Sequence, residues 1–144
     1  MSYNKFEIWQ IANDLVIKIH KMTLEELPKF EMFEEGSQIR RSSKSTKSLI
    51  VEAYERRVYK QDFIRFLINS MSSNNETIDH LDNLYTTESL KNKELYSELL
   101  DKLELLDRKL NKFICSVQQR LNIIAESENP IKNRISNIKN QNKT

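Results

Sequence analysis

The sequence contains very few of the residues that tight chain reversals require. Its 144 residues include one glycine, Gly36, and two prolines. A β-sheet of this size needs many turns, and turns depend on Gly, Pro, Asn and Asp. The composition therefore argues against a β-protein and favours long helices joined by few connections.

The features of secreted and membrane proteins are missing as well. A single cysteine, Cys115, cannot form a disulfide within the chain. The first ten residues contain no basic segment followed by an apolar run. No stretch approaches the roughly 18 apolar residues of a membrane-spanning helix. We therefore predict a soluble cytoplasmic protein without a membrane partner. We interpret Cys115 as a small packing residue, because no histidine or second cysteine accompanies it.

Recognisable catalytic motifs are absent too. The sequence has no GxGxxG, Walker loop, HExxH or GxSxG. Glu76 and His80 are four residues apart on a predicted helix, but the repeated Glu-x-x-His of di-metal bundles does not occur. We interpret them as a surface ion pair and keep a metal enzyme using Glu76, Asp79 and His80 as the least favoured alternative. We predict no catalytic residue, no metal, no cofactor and no small-molecule substrate.

Apolar side chains recur at helical spacing in four segments. The first three helices are predicted from about Lys5 to Met22, from Gly36 or Ser37 to Arg57, and from Gln61 to Tyr85. The fourth carries a near-heptad seam, formed by Leu99, Leu103, Leu106, Leu110, Phe113, Val117, Leu121 and Ile124. We predict an all-α, antiparallel up-down four-helix bundle over residues 1–125, followed by a polar, flexible tail over 126–144.

The second and third helices have unusually small and polar faces. Residues 69–75 read NSMSSNN, and one face of the second helix holds Ile39, Ser42, Thr46, Ile50 and Ala53. We predict that these two stretches face each other. In the first connection, Leu24, Leu27, Phe30 and Phe33 are predicted to fold back on the end of the bundle.

Charge is distributed in alternating blocks, although the whole chain carries only +2. Residues 1–36 hold four Lys and seven acidic residues, and residues 37–65 hold eight basic and three acidic residues. Residues 66–107 hold three Lys and nine acidic residues, whereas 108–144 hold eight basic and two acidic residues. Such blocks suit antiparallel neighbours of opposite sign or self-association, and suit a uniformly basic nucleic-acid binder less well.

The basic residues of the second block form the best candidate site. Arg40, Lys44 and Lys47 share a predicted exposed stripe of the second helix, and a second cluster follows over residues 56–65. A solvated face that pairs with acidic helices is the favoured interpretation, and phosphate contact to RNA or DNA is the functional alternative. The candidate residues are Arg40, Arg41, Lys44, Lys47, Arg56, Arg57, Lys60 and Arg65.

Several spaced blocks of the sequence resemble one known family. The segments FEIWQIANDLVIKIHKMT (6–23), SQIRR (37–41), IVEAYERRVYKQDFIRFLI (50–68) and NETIDHLDNLY (75–85) are similar to the four-helix-bundle proteins of the 23S rRNA intervening-sequence family. The resemblance covers roughly residues 5–120. It implies a four-helix bundle, a ring-like homopentamer, and genes located in inserts within large-subunit ribosomal RNA genes. It implies no established biochemical activity.

The sequence departs from the family pattern at a few positions. The family's Glu-Gly-x-Gly-Arg-Arg segment lacks both glycines here, where Ala53 and Glu55 favour helix, and Leu49 stands where the family usually has asparagine. We therefore favour a non-enzymatic bundle that forms a ring-like homo-oligomer, a pentamer by resemblance. The alternative is a nucleic-acid-binding accessory protein associated with RNA or a reverse transcriptase, which uses the basic surface of the second helix.

Overall fold

Four long helices make up most of the described part of the chain. The computed structural model describes residues 2–128 together with Ile138 and Gln141, and this part of the chain contains no strand. Two short 3₁₀ helices, Tyr3–Lys5 and Lys29–Met32, precede the first and second long helices. The predicted all-α fold is confirmed, with α1 at Glu7–Glu25, α2 at Glu35–Glu55, α3 at Lys60–Thr86 and α4 at Lys93–Glu128.

The fourth helix extends past residue 125, where the bundle domain was predicted to end. It runs to Glu128. Most of the predicted tail lies outside the described residues.

Each helix packs on two neighbours, and contacting neighbours run in opposite directions. The pairs in contact are α1 with α2, α2 with α3, α3 with α4 and α4 with α1. Between α1 and α4, Lys18 pairs with Glu98 at 2.8 Å and Glu7 pairs with Lys109 at 2.7 Å. Because the residue number falls on α1 as it rises on α4, these two helices are antiparallel.

The predicted seam of α4 forms the apolar side of the core. Leu99, Leu103, Leu106 and Leu110 are fully or almost fully buried. Toward the end of α4 the seam leaves the bundle, since Ile124 is half exposed. The near-heptad spacing therefore predicted the packed face correctly over the part of α4 that lies against its neighbours.

A buried row of hydroxyl groups joins α2 to α3. Ser70 donates a hydrogen bond to the carbonyl oxygen of Thr46 at 2.8 Å, and Thr77 donates to the hydroxyl of Ser42 at 2.8 Å. Small side chains let two helix backbones approach closely, and each hydrogen bond offsets the cost of burying a polar group. The prediction that the small faces of these two helices meet is confirmed.

Another contact ties α3 to α4, close to where α3 ends and α4 begins. The rings of Tyr85 and Tyr96 stack with centroids 4.0 Å apart. The hydroxyl of Tyr96 donates to a carboxylate oxygen of Asp82 at 2.7 Å. This hydrogen bond, with a smaller contribution from burial, raises the pKa of Tyr96 to about 12.

Three residues, Arg40, Glu31 and Gly36, hold the connection between α1 and α2. Arg40 donates to the hydroxyl of Thr23 at 2.9 Å and to the carbonyl oxygen of Met32 at 2.7 Å. The buried carboxylate of Glu31 accepts a hydrogen bond from Ser89 at 3.1 Å. Gly36 lies directly against the Glu31 backbone, where an added Cβ would overlap the carbonyl oxygen. The segment therefore has a defined path across the end of the bundle.

The prediction that four apolar residues of this connection fold back on the bundle is wrong for three of them. Leu27 packs against the core, as predicted. Leu24, Phe30 and Phe33 are instead 52, 63 and 88% exposed. The contacts of Arg40, Glu31 and Gly36 fix the connection with these side chains turned outward.

Candidate functional surfaces

The structure divides the predicted basic residues into groups with different surroundings. Arg40 is half-buried and holds the α1–α2 connection. Lys47 is also half-buried. It donates to Asn13 of α1 at 3.0 Å and lies 5.7 Å from the centroid of the Trp9 ring. The predicted stripe is thus not uniformly exposed, since these two cations bind parts of their own chain.

Arg41 and Lys44 differ from Arg40 and Lys47, because both are exposed. Neither forms an ion pair with a carboxylate of the described residues. These two cations are solvated, as the favoured interpretation of the sequence has it, but they lack the ion pairs with acidic helices that it also expected.

The four remaining candidates surround the connection between α2 and α3. The guanidinium carbons of Arg56 and Arg65 lie 4.8 and 5.2 Å from the centroid of the Phe66 ring. Each also pairs with a carboxylate of its own helix, at 3.5 Å to Glu52 and 3.3 Å to Asp62. Exposed pairs of this kind contribute little to stability, so both cations remain available to a ligand.

Arg57 and Lys60 lie at the rim of a groove at the same end of the bundle. The Arg57 guanidinium lies 4.1 Å from the Tyr54 ring and donates to the Tyr54 carbonyl oxygen at 3.0 Å. Lys60 lies 5.7 Å from the Phe63 ring. These contacts place both charges beside apolar side chains rather than beside carboxylates.

The groove itself has an apolar floor and a cationic edge. Its volume is about 270 Å³, and it is lined by Phe6 just before α1, by Arg57 of the α2–α3 connection, and by residues of α3 and α4. Arg120 of α4 supplies a third cation, which the sequence analysis did not single out because only the fold brings it to Arg57 and Lys60. The floor is formed by Phe6, Phe63, Phe113, Val117, Leu121 and Ile124.

An exposed aromatic pair lies at the opposite end of the bundle. We call Phe30 and Phe33 the knob, because they are the outward aromatic residues of the α1–α2 connection. Exposed carboxylates flank the knob on the same stretch of chain, at Glu25, Glu26 and Glu34. The knob therefore combines apolar surface with negative charge.

The Glu76–His80 pair is part of a larger polar contact in which only His80 is buried. The Nδ1 atom of His80 lies 2.7 Å from Glu35 of α2, whereas its Nε2 atom lies 3.4 Å from Glu76. Asn83 donates to the same Glu35 oxygen at 3.1 Å. The predicted pair is therefore present, with Glu76 exposed, but His80 is not a surface residue, because it is buried and also joins α3 to the first turn of α2. Within the described residues, no group of three or more His, Cys, Asp or Glu side chains could hold a metal ion.

The prediction that Cys115 packs in the interior is also wrong. Its side chain is exposed on α4, and its thiol is free. A position beside a heptad seam does not distinguish an inward from an outward side chain when the residue is small.

Comparison with known proteins identifies the family of this chain and supports its fold. Residues 4–112 match the family described as "23S rRNA-intervening sequence protein". The chain belongs to this family. The match spans α1, α2 and α3 and continues into α4, so the resemblance noted in the sequence is confirmed.

A solved structure supports the fold of this family member. The crystal structure is that of a protein with unknown function from the S23 ribosomal protein family of Bacteroides thetaiotaomicron. The two chains are 24% identical, with a TM-score of 0.65, and the likeness covers 79% of this chain and 98% of that one. No curated protein matches the chain. Among the described residues, no helix is long and apolar enough to cross a membrane.

Proposed function

We propose that this family member is a non-enzymatic subunit that self-associates into a ring-like homo-oligomer, with five copies as the family resemblance implies. The observation that carries the proposal is the exposure of Phe33 and Phe30 on an ordered connection. Exposed clusters of large apolar side chains mark protein interaction sites. Since the connection is held by Arg40, Glu31 and Gly36, its surface is already arranged for binding.

Native mass spectrometry of the protein purified from the cells that produce it tests this proposal. We expect a single assembly whose mass is a multiple of the 17.2 kDa of one chain, with five copies as the favoured number. The same spectrum reports any RNA or protein that remains bound. A spectrum containing only the single chain at micromolar concentration would rule the proposal out.

We propose nucleic-acid binding as a second candidate function, supported by the exposed cations of α2 and of the α2–α3 connection. Arg41 and Lys44 are exposed on α2, and Arg56 and Arg65 flank an aromatic ring. Lys and Arg that contact phosphates release counterions, so the affinity falls steeply as salt rises. Arg40 and Lys47 are poor positions for testing this candidate, because changing either one also disturbs contacts with α1.

The test compares two variants that alter the net charge equally. Arg41→Glu/Lys44→Glu is expected to weaken salt-sensitive binding to structured RNA or single strands by at least tenfold. The control Lys91→Glu/Lys93→Glu, at exposed positions near the start of α4, is expected to change it less than threefold. Equal losses in both variants would show that only overall charge matters and would exclude this surface of α2.

We propose that the protein is located in the cytoplasm. The single, free cysteine supports that location, because a reducing compartment leaves such a thiol unpaired.

A further inference from the structure

A ring of more than two identical subunits needs two different surfaces that fit one another. A contact between identical patches closes as a dimer, whereas a head-to-tail contact between unlike patches generates rings or filaments. The inference below rests on the proposed self-association and concerns which two surfaces meet.

We infer that the knob of one copy docks into the cationic groove of the next copy. Phe30 and Phe33 lie at the end of the bundle where α1 connects to α2, and the groove lies at the end where α2 connects to α3. Because successive helices run in opposite directions, these connections are at opposite ends of the same subunit. The contact is therefore head-to-tail.

The sizes of the two surfaces are compatible. The groove has a volume of about 270 Å³ and an apolar floor that includes three aromatic rings. A cavity of about 150 Å³ in another protein accepts benzene, so this groove has room for one or two phenyl rings. Phe6 and Phe63 both meet Phe113 edge to face, with centroids 5.8 and 5.7 Å apart. A phenyl ring from a partner would extend this edge-to-face packing.

The charges of the two surfaces are opposite. Arg57, Lys60 and Arg120 line the groove, and none of them forms an ion pair with a carboxylate of the described residues. The exposed charged residues beside the knob are Glu25, Glu26, Lys29 and Glu34, so its surroundings carry a net charge of −2 (three carboxylates and one ammonium). A groove meeting a groove, or a knob meeting a knob, would bring like charges together, which disfavours both symmetric pairings.

The knob is held in place before it binds. Arg40 fixes the carbonyl of Met32, between the two phenylalanines, at 2.7 Å, and Glu31 is anchored to Ser89 at 3.1 Å. A segment that is already ordered loses little conformational freedom on docking, so more of the apolar burial contributes to affinity.

Mixing two damaged subunits tests the head-to-tail pairing. The knob variant is Phe30→Ser/Phe33→Ser, and the groove variant is Arg57→Glu/Lys60→Glu/Arg120→Glu. All five side chains are exposed, so these changes are expected to leave the fold intact, and circular dichroism checks this. A control variant, Ile17→Ser/Ile68→Ser, removes two exposed apolar side chains outside both surfaces.

We expect native mass spectrometry to show the control as the wild-type assembly and each damaged variant alone as a monomer. An equal mixture of the two damaged variants is expected to form a dimer of one copy of each. In that dimer, the intact knob of one subunit occupies the intact groove of the other, and the remaining two surfaces cannot pair. No symmetric interface predicts this complementation.

The outcomes separate this inference from the proposed function. A monomeric wild-type protein would remove self-association itself. A wild-type assembly that survives in the knob variant would leave the ring standing and overturn the docking. Monomers only in the mixture would also overturn it. A groove variant that keeps the assembly but loses RNA binding would assign the cationic rim to nucleic acid instead.

Discussion

The only glycine of the chain stands where the start of α2 lies directly against the preceding connection. Gly36 is buried in the first turn of α2, against the carbonyl group of Glu31. The sequence indicated a helix start near this residue, but the close approach depends on how the preceding connection folds. The left-handed backbone at Glu88, with a φ of 64°, could not be predicted from the sequence either, because no glycine occupies that position.

Replacing Gly36 with alanine is expected to destabilise the protein. In an open helix this change stabilises by up to about 1 kcal/mol. Here the new Cβ would overlap a backbone oxygen, and we expect a loss of about 1–3 kcal/mol in the free energy of unfolding. Urea denaturation of Gly36→Ala measures it, with Ser37→Ala at the exposed neighbouring position as control. A stabilised Gly36→Ala protein would show that the two segments are not in contact.

The helices differ in how far their packing follows from local sequence. The repeating leucines of α4 predicted a buried seam, and Leu99 to Leu110 confirm it. The small faces of α2 and α3 also predicted their contact, which Ser70 and Thr46 confirm. The prediction for the α1–α2 connection was wrong at three of its four apolar residues, because the path depends on Arg40, whose hydrogen bonds reach residues 8 and 17 positions earlier in the chain.

Enlarging one residue of the α2–α3 contact is expected to separate the two helices. Ser70→Leu places a large side chain where the hydroxyl now donates to the Thr46 carbonyl, and overpacking of this kind costs about 1–3 kcal/mol. Asn69→Leu, at the exposed neighbouring position, is the matched control and is expected to stay within about 0.5 kcal/mol. Thermal denaturation followed by circular dichroism compares them. Equal stability of the two variants would contradict the close contact.

At the scale of the whole molecule, charge is neutralised between some helices and not between others. Ion pairs such as Lys18–Glu98 join α1 to α4. Arg41, Lys44 and the rim of the groove have no such partner among the described residues. The alternating charge blocks of the sequence suggested pairing between neighbouring helices of opposite sign, which the ion pairs between α1 and α4 match and the exposed cations of α2 do not. The blocks did not locate the groove, because Arg120 joins Arg57 and Lys60 only when α4 packs beside α3.

Sedimentation velocity of the wild-type protein at micromolar concentration tests most directly whether copies of this chain bind one another. We expect one boundary with a mass several times the 17.2 kDa of the single chain, and the same boundary across a tenfold dilution. A boundary at the mass of one chain at every concentration would contradict self-association and the docking of the knob together.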